Sequence, residues 1–231
     1  MSGQRDRILG GIRRSLGRGP VAPDERARLE ARLRAPTSNL IPKRAQLPHA
    51  QQVDLFRHMA EKLDATVERV SSAADVPGAV ADYLASRNLP PRVRMSPDSA
   101  FDGIPWSDRP MLMVERGRAA PEDLVSVTPA FAGIAETGTL MFASGATRPA
   151  TLNFMPDNHI VVLRTSQVVG DYETAFARLR ALHGMNDGKF MPRTVNLVTG
   201  PSRTGDIEQT LILGAHGPRR LHIVVIDDEA G

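Results

Sequence analysis

Val195-Asn196-Leu197-Val198-Thr199-Gly200-Pro201-Ser202-Arg203-Thr204-Gly205-Asp206-Ile207-Glu208 reads as an apolar strand that stops at Gly200-Pro201, crosses a polar turn and enters a helix over Ile207 to Leu213. Asp206 and Glu208 put negative charge where a helix's first turn accepts it. A strand that feeds a helix through a polar turn is a basic unit of α/β proteins. Small ligands collect at such turns because free backbone N–H groups point out of the helix start. The stretch therefore predicts an α/β fold and a site. Ser202, Arg203 and Thr204 are candidate ligand-binding residues, their hydroxyls and guanidinium suited to a phosphate or carboxylate. The competing reading is a plain helix start, with Ser202 or Thr204 as cap and Asp206 offsetting the dipole. Capping does not require the arginine, so both readings stay open. A serine-hydrolase elbow fails here: Thr204 stands at the fifth position of Gly-x-Ser-x-Gly, and Gly205 comes one residue late.

Outward from this stretch the alternation continues. Thr66 to Val70, Arg92 to Met95, Met111 to Glu115, Leu124 to Thr128, Leu140 to Phe142, His159 to Arg164 and Leu221 to Ile226 read as strands. Val53 to Leu63, Pro77 to Leu84 and Tyr172 to Leu182 read as helices. Strands apolar throughout belong in a sheet covered on both faces. Adjacent strands with no helix between them, in the middle of the chain, predict a hairpin. The expected architecture is a three-layer α/β/α fold with a mixed, mainly parallel sheet. Ahead of it, Ile8, Ile12 and Leu16 recur at four-residue spacing among Arg5, Arg7, Arg13, Arg14 and Arg18, the pattern of a basic amphipathic helix. That helix is read either as a loosely attached terminus or as a docking element. A Pro- and Arg-rich arm with a helical patch at Glu25 to Arg34 follows, so the expected division is 1–50 as helical arm and 51–231 as α/β domain.

The 231 residues are 41% hydrophobic, 24% charged and only 4% aromatic, so the core must be aliphatic. The net charge is +3, and lysine occurs only at Lys43, Lys62 and Lys189, leaving arginine to carry the positive charge. The absence of cysteine excludes disulfides, a thiol nucleophile and cysteine-ligated zinc or iron–sulfur centres, and it fits a reducing cytoplasm. No run approaches the ~20 apolar residues of a membrane span, so a cytoplasmic protein is expected. The basic residues lack interleaved aromatics, which argues against nucleic acid as a partner. No histidine pair has metal-ligand spacing and no Gly-x-Gly-x-x-Gly follows a strand, so neither a metal nor a dinucleotide cofactor is expected.

Two further clusters carry polar groups among small residues. In Gly133-Ile134-Ala135-Glu136-Thr137-Gly138-Thr139, Glu136 could be general base, nucleophile or hydrogen-bond acceptor, or the solvated corner of a tight turn. In Gly214-Ala215-His216-Gly217-Pro218, His216 could bind ligand, while Gly214 could simply end the preceding helix. By chain direction His216 would lie at the far end of that helix from Ser202. His159 and His222 read as packed, hydrogen-bonded strand residues.

These three motifs, in this order and followed by Leu221-His222-Ile223-Val224-Val225, resemble the lactate-utilization protein C family, the LUD-domain proteins, over roughly residues 50 to 228. The resemblance implies a fold like that of the ribose-phosphate isomerase, glucosamine-phosphate deaminase and coenzyme A transferase group. It implies a non-redox component of a bacterial system that oxidises L-lactate to pyruvate, with iron–sulfur companion subunits and a small anionic metabolite as partners. The matching polar positions are Glu136, Thr137, Thr139, Ser202, Arg203, Thr204, Asp206, Glu208 and His216. Gly205 departs from the pattern, where alanine is more usual. Two other readings stand beside it: a coenzyme A transferase-like enzyme with Glu136 as nucleophile, and an assembly subunit without a small-molecule site. Whether the chain is an enzyme and whether it forms a homo-oligomer stay open. Glu136, Ser202, Arg203 and Thr204 are expected to line one pocket at one end of the sheet.

Overall fold

Six parallel strands form the main sheet: β1 (Thr66–Val70), β2 (Arg92–Met95), β3 (Met113–Arg116), β4 (Val125–Pro129), β7 (Asn158–Arg164) and β12 (Arg220–Ile226), in the spatial order β1-β12-β7-β4-β2-β3. The computed structural model describes residues 2–17, 19–183, 191–204 and 212–228. The chain divides into two units, Met1–Asn39 and Leu40–Gly231. In the first, α1 (Ser2–Ser15) leaves Ile8, Ile12 and Leu16 exposed. Its second helix, α2 (Pro23–Arg34), opens with proline, followed by Asp24 and Glu25 where the dipole favours acids.

The second unit is layered because β7 and β12 are apolar on both faces. Ile160, Val162, Val224 and Ile226 pack on α4 (Val76–Ser86), which buries Val76, Ala79, Val80, Tyr83 and Leu84. Val161, Leu163, Ile223 and Val225 face the other way, onto Val53, Phe56 and Ala60 of α3 (His49–Glu61) and onto a second, four-stranded sheet. That sheet holds β5 (Ala132–Ile134), β6 (Thr139–Ala143), β8 (Val168–Val169) and β9 (Val195–Val198), in the order β8-β5-β6-β9. Its outer face is covered by Ala175 and Leu179 of α6 (Tyr172–His183). Each fully buried Val, Leu or Ile in these layers contributes about 1.5–3 kcal/mol, which is how a chain so poor in aromatics holds its sheets.

The three-layer α/β arrangement with a mainly parallel sheet is the expected one. The expected mixing is distributed differently. The antiparallel pairs β5–β6 and β6–β9 sit in the second sheet, and every pair in the six-stranded sheet is parallel. Two glycines let the layers close. Gly138, at φ +65°, lies so near the backbone of Ala60 that any Cβ would collide with it. Gly200, at φ +72°, meets the Leu63 carbonyl oxygen in the same way. Both conformations and both contacts admit only a residue without a side chain.

The helix expected over Ile207 to Leu213 is corrected where the structure describes it. Arg203–Thr204 form a short strand, β10, paired antiparallel with β11 (Ile212–Leu213). Residues 205–211, including Gly205, Asp206 and Glu208, lie outside the described residues.

Candidate functional site

The β10–β11 pairing turns the chain back, so residues 214–218 return to the turn at 200–202. Ser202 N–H donates to the Pro218 carbonyl at 2.9 Å, Gly214 N–H to the Ser202 carbonyl at 2.9 Å, and His216 N–H to Ser202 Oγ at 3.3 Å. The expectation that His216 lies far from Ser202 is thereby overturned. It assumed a helix running straight on, whereas an antiparallel pair reverses direction. The helix-start cradle is corrected with it: Thr204 is a buried strand residue, and the Ser202 N–H already has a carbonyl partner.

Together these two turns wall a cavity of about 460 Å³. Ser202, Arg203, His216 and Pro218 form one side; Leu197 and Thr199 from the end of β9, Leu63 from the end of α3, and Asn153 and Phe154 from α5 (Thr151–Phe154) complete it. His159 and Leu221, each the second residue of its strand, close the floor. The cavity therefore sits at the amino-terminal edge of the parallel sheet, while the carboxyl end of β9 opens onto it. Its volume falls within the ~300–1,000 Å³ typical of small-molecule sites.

Arg203 is the cationic group at the rim. Its Nη2 donates to the Leu63 carbonyl at 2.6 Å and lies 3.3 Å from Asp64 Oδ2. Asp64 is 73% exposed, so water screens that pair, and the carbonyl fixes the guanidinium more than the ion pair neutralises it. No Asp or Glu is among the described lining residues. Burial pushes the His159 imidazole down to about 3, which leaves it neutral at physiological pH. Its Nε2 lies 2.6 Å from Thr128 Oγ1, while Nδ1 has no partner among the described residues.

The Gly133–Thr139 motif is placed differently from the expectation. Glu136 is buried, does not line this cavity, and accepts the Tyr172 N–H on Oε1 at 3.3 Å. Its own N–H donates to the Gly170 carbonyl at 3.0 Å. Thr137 and Thr139 join Tyr172 and Thr199 in a cluster of hydroxyls 2.7–2.9 Å apart, and only Thr199 of the four reaches the cavity. So the structure brings together Ser202, Arg203 and His216; Thr137 and Thr139 support the rim from behind; Glu136 and Thr204 stay out of the lining; Asp206 is not described. Sequence reasoning missed Asn153, His159, Thr199 and Leu63 as lining residues. Leu63, Asn153 and His159 come from three segments outside the motifs, Thr199 stands in the second motif without being singled out, and His159 reads from sequence as a packed strand residue, which it also is.

Among the described residues no group of His, Asp and Glu is arranged to hold a metal ion, and no helix is long and apolar enough to cross a membrane. The LUD domain family model matches residues 115–226. An uncharacterized protein of Neisseria meningitidis serogroup B is 40% identical over 94 residues, which is 41% of this chain and 38% of that one. The lactate utilization protein C of Macrococcus caseolyticus is 28% identical over 130 residues, 56% of this chain and 54% of that one. The aligned stretch thus spans about half or less of either relative's own length. The uncharacterized protein YkgG of Escherichia coli K12 is 27% identical across 97% of this chain and 98% of its own. The crystal structure of a DUF162 family protein from Deinococcus radiodurans superposes with a TM-score of 0.56 at 26% identity, covering 78% of this chain and 99% of that one.

Proposed function

As the chain belongs to the LUD-domain family, we propose that it is a non-redox component of bacterial lactate utilisation that binds a small organic anion in the cavity between the 199–203 and 214–218 turns. The pathway part rests on several relatives named lactate utilization protein C, among them that of a Geobacillus species at 33% identity over 95 residues. The binding part rests on one observation: Arg203 and Ser202 line a cavity of ligand size whose lining, among the described residues, holds no carboxylate. An arginine held from behind by a carbonyl keeps its remaining N–H groups in a fixed plane, which suits the paired oxygens of a carboxylate. Ser202 lines the same cavity, its Oγ accepting the His216 N–H, and His216 stands exposed at the rim.

Oxidation of lactate to pyruvate releases an electron pair. A chain without cysteine offers no thiolates for an iron–sulfur cluster, so in this reading the electrons pass to companion iron–sulfur subunits. The cytoplasm is the compartment that suits such an assembly. Deleting the gene in a strain with no second lactate dehydrogenase should abolish growth on L-lactate as sole carbon source. Wild-type protein should restore growth and Arg203→Ala should not. Unimpaired growth of the deletion strain would end the pathway reading.

A further inference from the structure

The buried end of the cavity has its own chemistry. Asn153 is 6% exposed, its backbone N–H goes to the Ala150 carbonyl, and its carboxamide makes no hydrogen bond among the described residues. It is held in place from below, since Ser126 Oγ donates to the Leu152 carbonyl at 2.6 Å and so pins α5 to the inner face of β4. Beside it on the floor is His159, fully buried and neutral, with Nδ1 unpartnered. Among the described residues the fully enclosed polar atoms without a partner include His159 Nδ1 but neither atom of the Asn153 carboxamide, which therefore reaches the cavity and is open to a ligand. Much of the remaining lining is apolar: Leu63, Phe154, Leu197, Val198 and Leu221.

We infer that Asn153 is a ligand-binding residue and that the cavity takes an amphipathic organic acid: a carboxylate at Arg203, an apolar middle, and a neutral group that both donates and accepts hydrogen bonds, such as a carboxamide, at Asn153. This rests on the proposal that the cavity is an organic-anion site and adds which anion. The mixed lining carries it, a cation and a carboxamide among apolar side chains. A carboxamide both donates and accepts, so Asn153 matches a group of the same kind, whereas a second carboxylate could accept from its N–H₂ but would leave its Oδ1 unmatched and facing a charge. The room available exceeds what lactate or pyruvate fills, which leaves space for the longer molecule.

The test is calorimetric titration of the full chain with succinamate, glutaramate and adipamate. Each is compared with the acid in which an isopropyl group replaces the carboxamide, a change that keeps the shape and removes the hydrogen bonds. Wild type should bind at least one amide acid about 10-fold more tightly than its isopropyl counterpart. Asn153→Leu, with the same branching and heavy-atom count, should abolish or reverse that preference. Asn153→Ala gives the same readout of preference should the leucine variant fail to fold. Equal binding of each pair by wild type, with binding still lost in Arg203→Ala, would overturn the Asn153 assignment and leave the anion site standing. No binding of any acid would remove both.

Discussion

The Thr139 hydroxyl lies 2.8 Å from that of Thr199, and this contact ties the small-residue motif before β6 to the rim of the cavity. Thr139 also meets Thr137 Oγ1 behind it, at 2.7 Å, and Tyr172 OH at 2.9 Å. It is the hub of the cluster and fully buried. Thr139→Val keeps the shape and leaves hydroxyls around it unpartnered. Denaturant unfolding should show a loss of about 1–3 kcal/mol, and anion binding should weaken as Thr199 loses its anchor. Unchanged stability would mean that the cluster rearranges without the hub.

Glycine at 138 and 200 sets how closely the motif turns approach α3. Gly138→Ala must adopt φ +65° and overlap the Ala60 backbone; Gly200→Ala meets the Leu63 carbonyl at φ +72°. The left-handed conformation alone costs about 1–2 kcal/mol. Each variant should therefore lose more than ~2 kcal/mol of unfolding free energy. Gly200→Ala should lose anion binding as well, because Leu63 holds Arg203.

Acid should destabilise the protein through its buried histidines. Burial holds His159 down to about 3, and burial with Arg87 nearby holds His222 to about 4, against an ordinary value of 6.5. Between those limits the unfolded chain binds protons that the folded chain does not, so stability is full above pH 6.5 and falls as pH drops towards the folded values. The slope is at most about 1.4 kcal/mol per pH unit for each histidine. Between pH 6.5 and about 5 it is separate from Asp98, Asp123 and Asp228, whose lowered values place their effect below 3.8. Unfolding curves of His159→Gln across that range should be flatter than wild type. An identical slope would mean that His159 takes up its proton in the folded state.

Much of the frame was legible because buried parallel strands are apolar runs. Thr66–Val70 and Arg92–Met95 have the expected bounds, and His159–Arg164 and Leu221–Ile226 differ from the observed strands by one residue. The division into two sheets was not legible: Leu124–Thr128 and Leu140–Phe142 read as adjacent strands of one mixed sheet, Ala132–Ile134 does not read as a strand, and nothing local says that β6 pairs with β5 and β9 rather than with the main sheet. The turn at Ser202–Thr204 misled for a physical reason. Ser, Thr and Asp suit a helix start and a reverse turn alike, and what decides here is the long-range return of 214–218 onto Ser202. The site inherits that limit. Ser202, Arg203 and His216 stand out as polar groups in turns, whereas Asn153 and His159 acquire their meaning only from being buried next to a cavity.

The central claim is that Arg203 makes this cavity a site for an organic anion. Calorimetric titration of the full chain with L-lactate, pyruvate and glutaramate, repeated on Arg203→Ala, tests it most directly. Wild type should bind at least one of these acids measurably, and Arg203→Ala, if still folded, should bind it about 10-fold or more weakly, as expected for loss of a charge-assisted hydrogen bond. Equal affinity in the two proteins, or no binding to wild type, would contradict it. If Arg203→Ala instead unfolds the protein, the arginine serves to hold Leu63 and Asp64, and it is not the anion's partner.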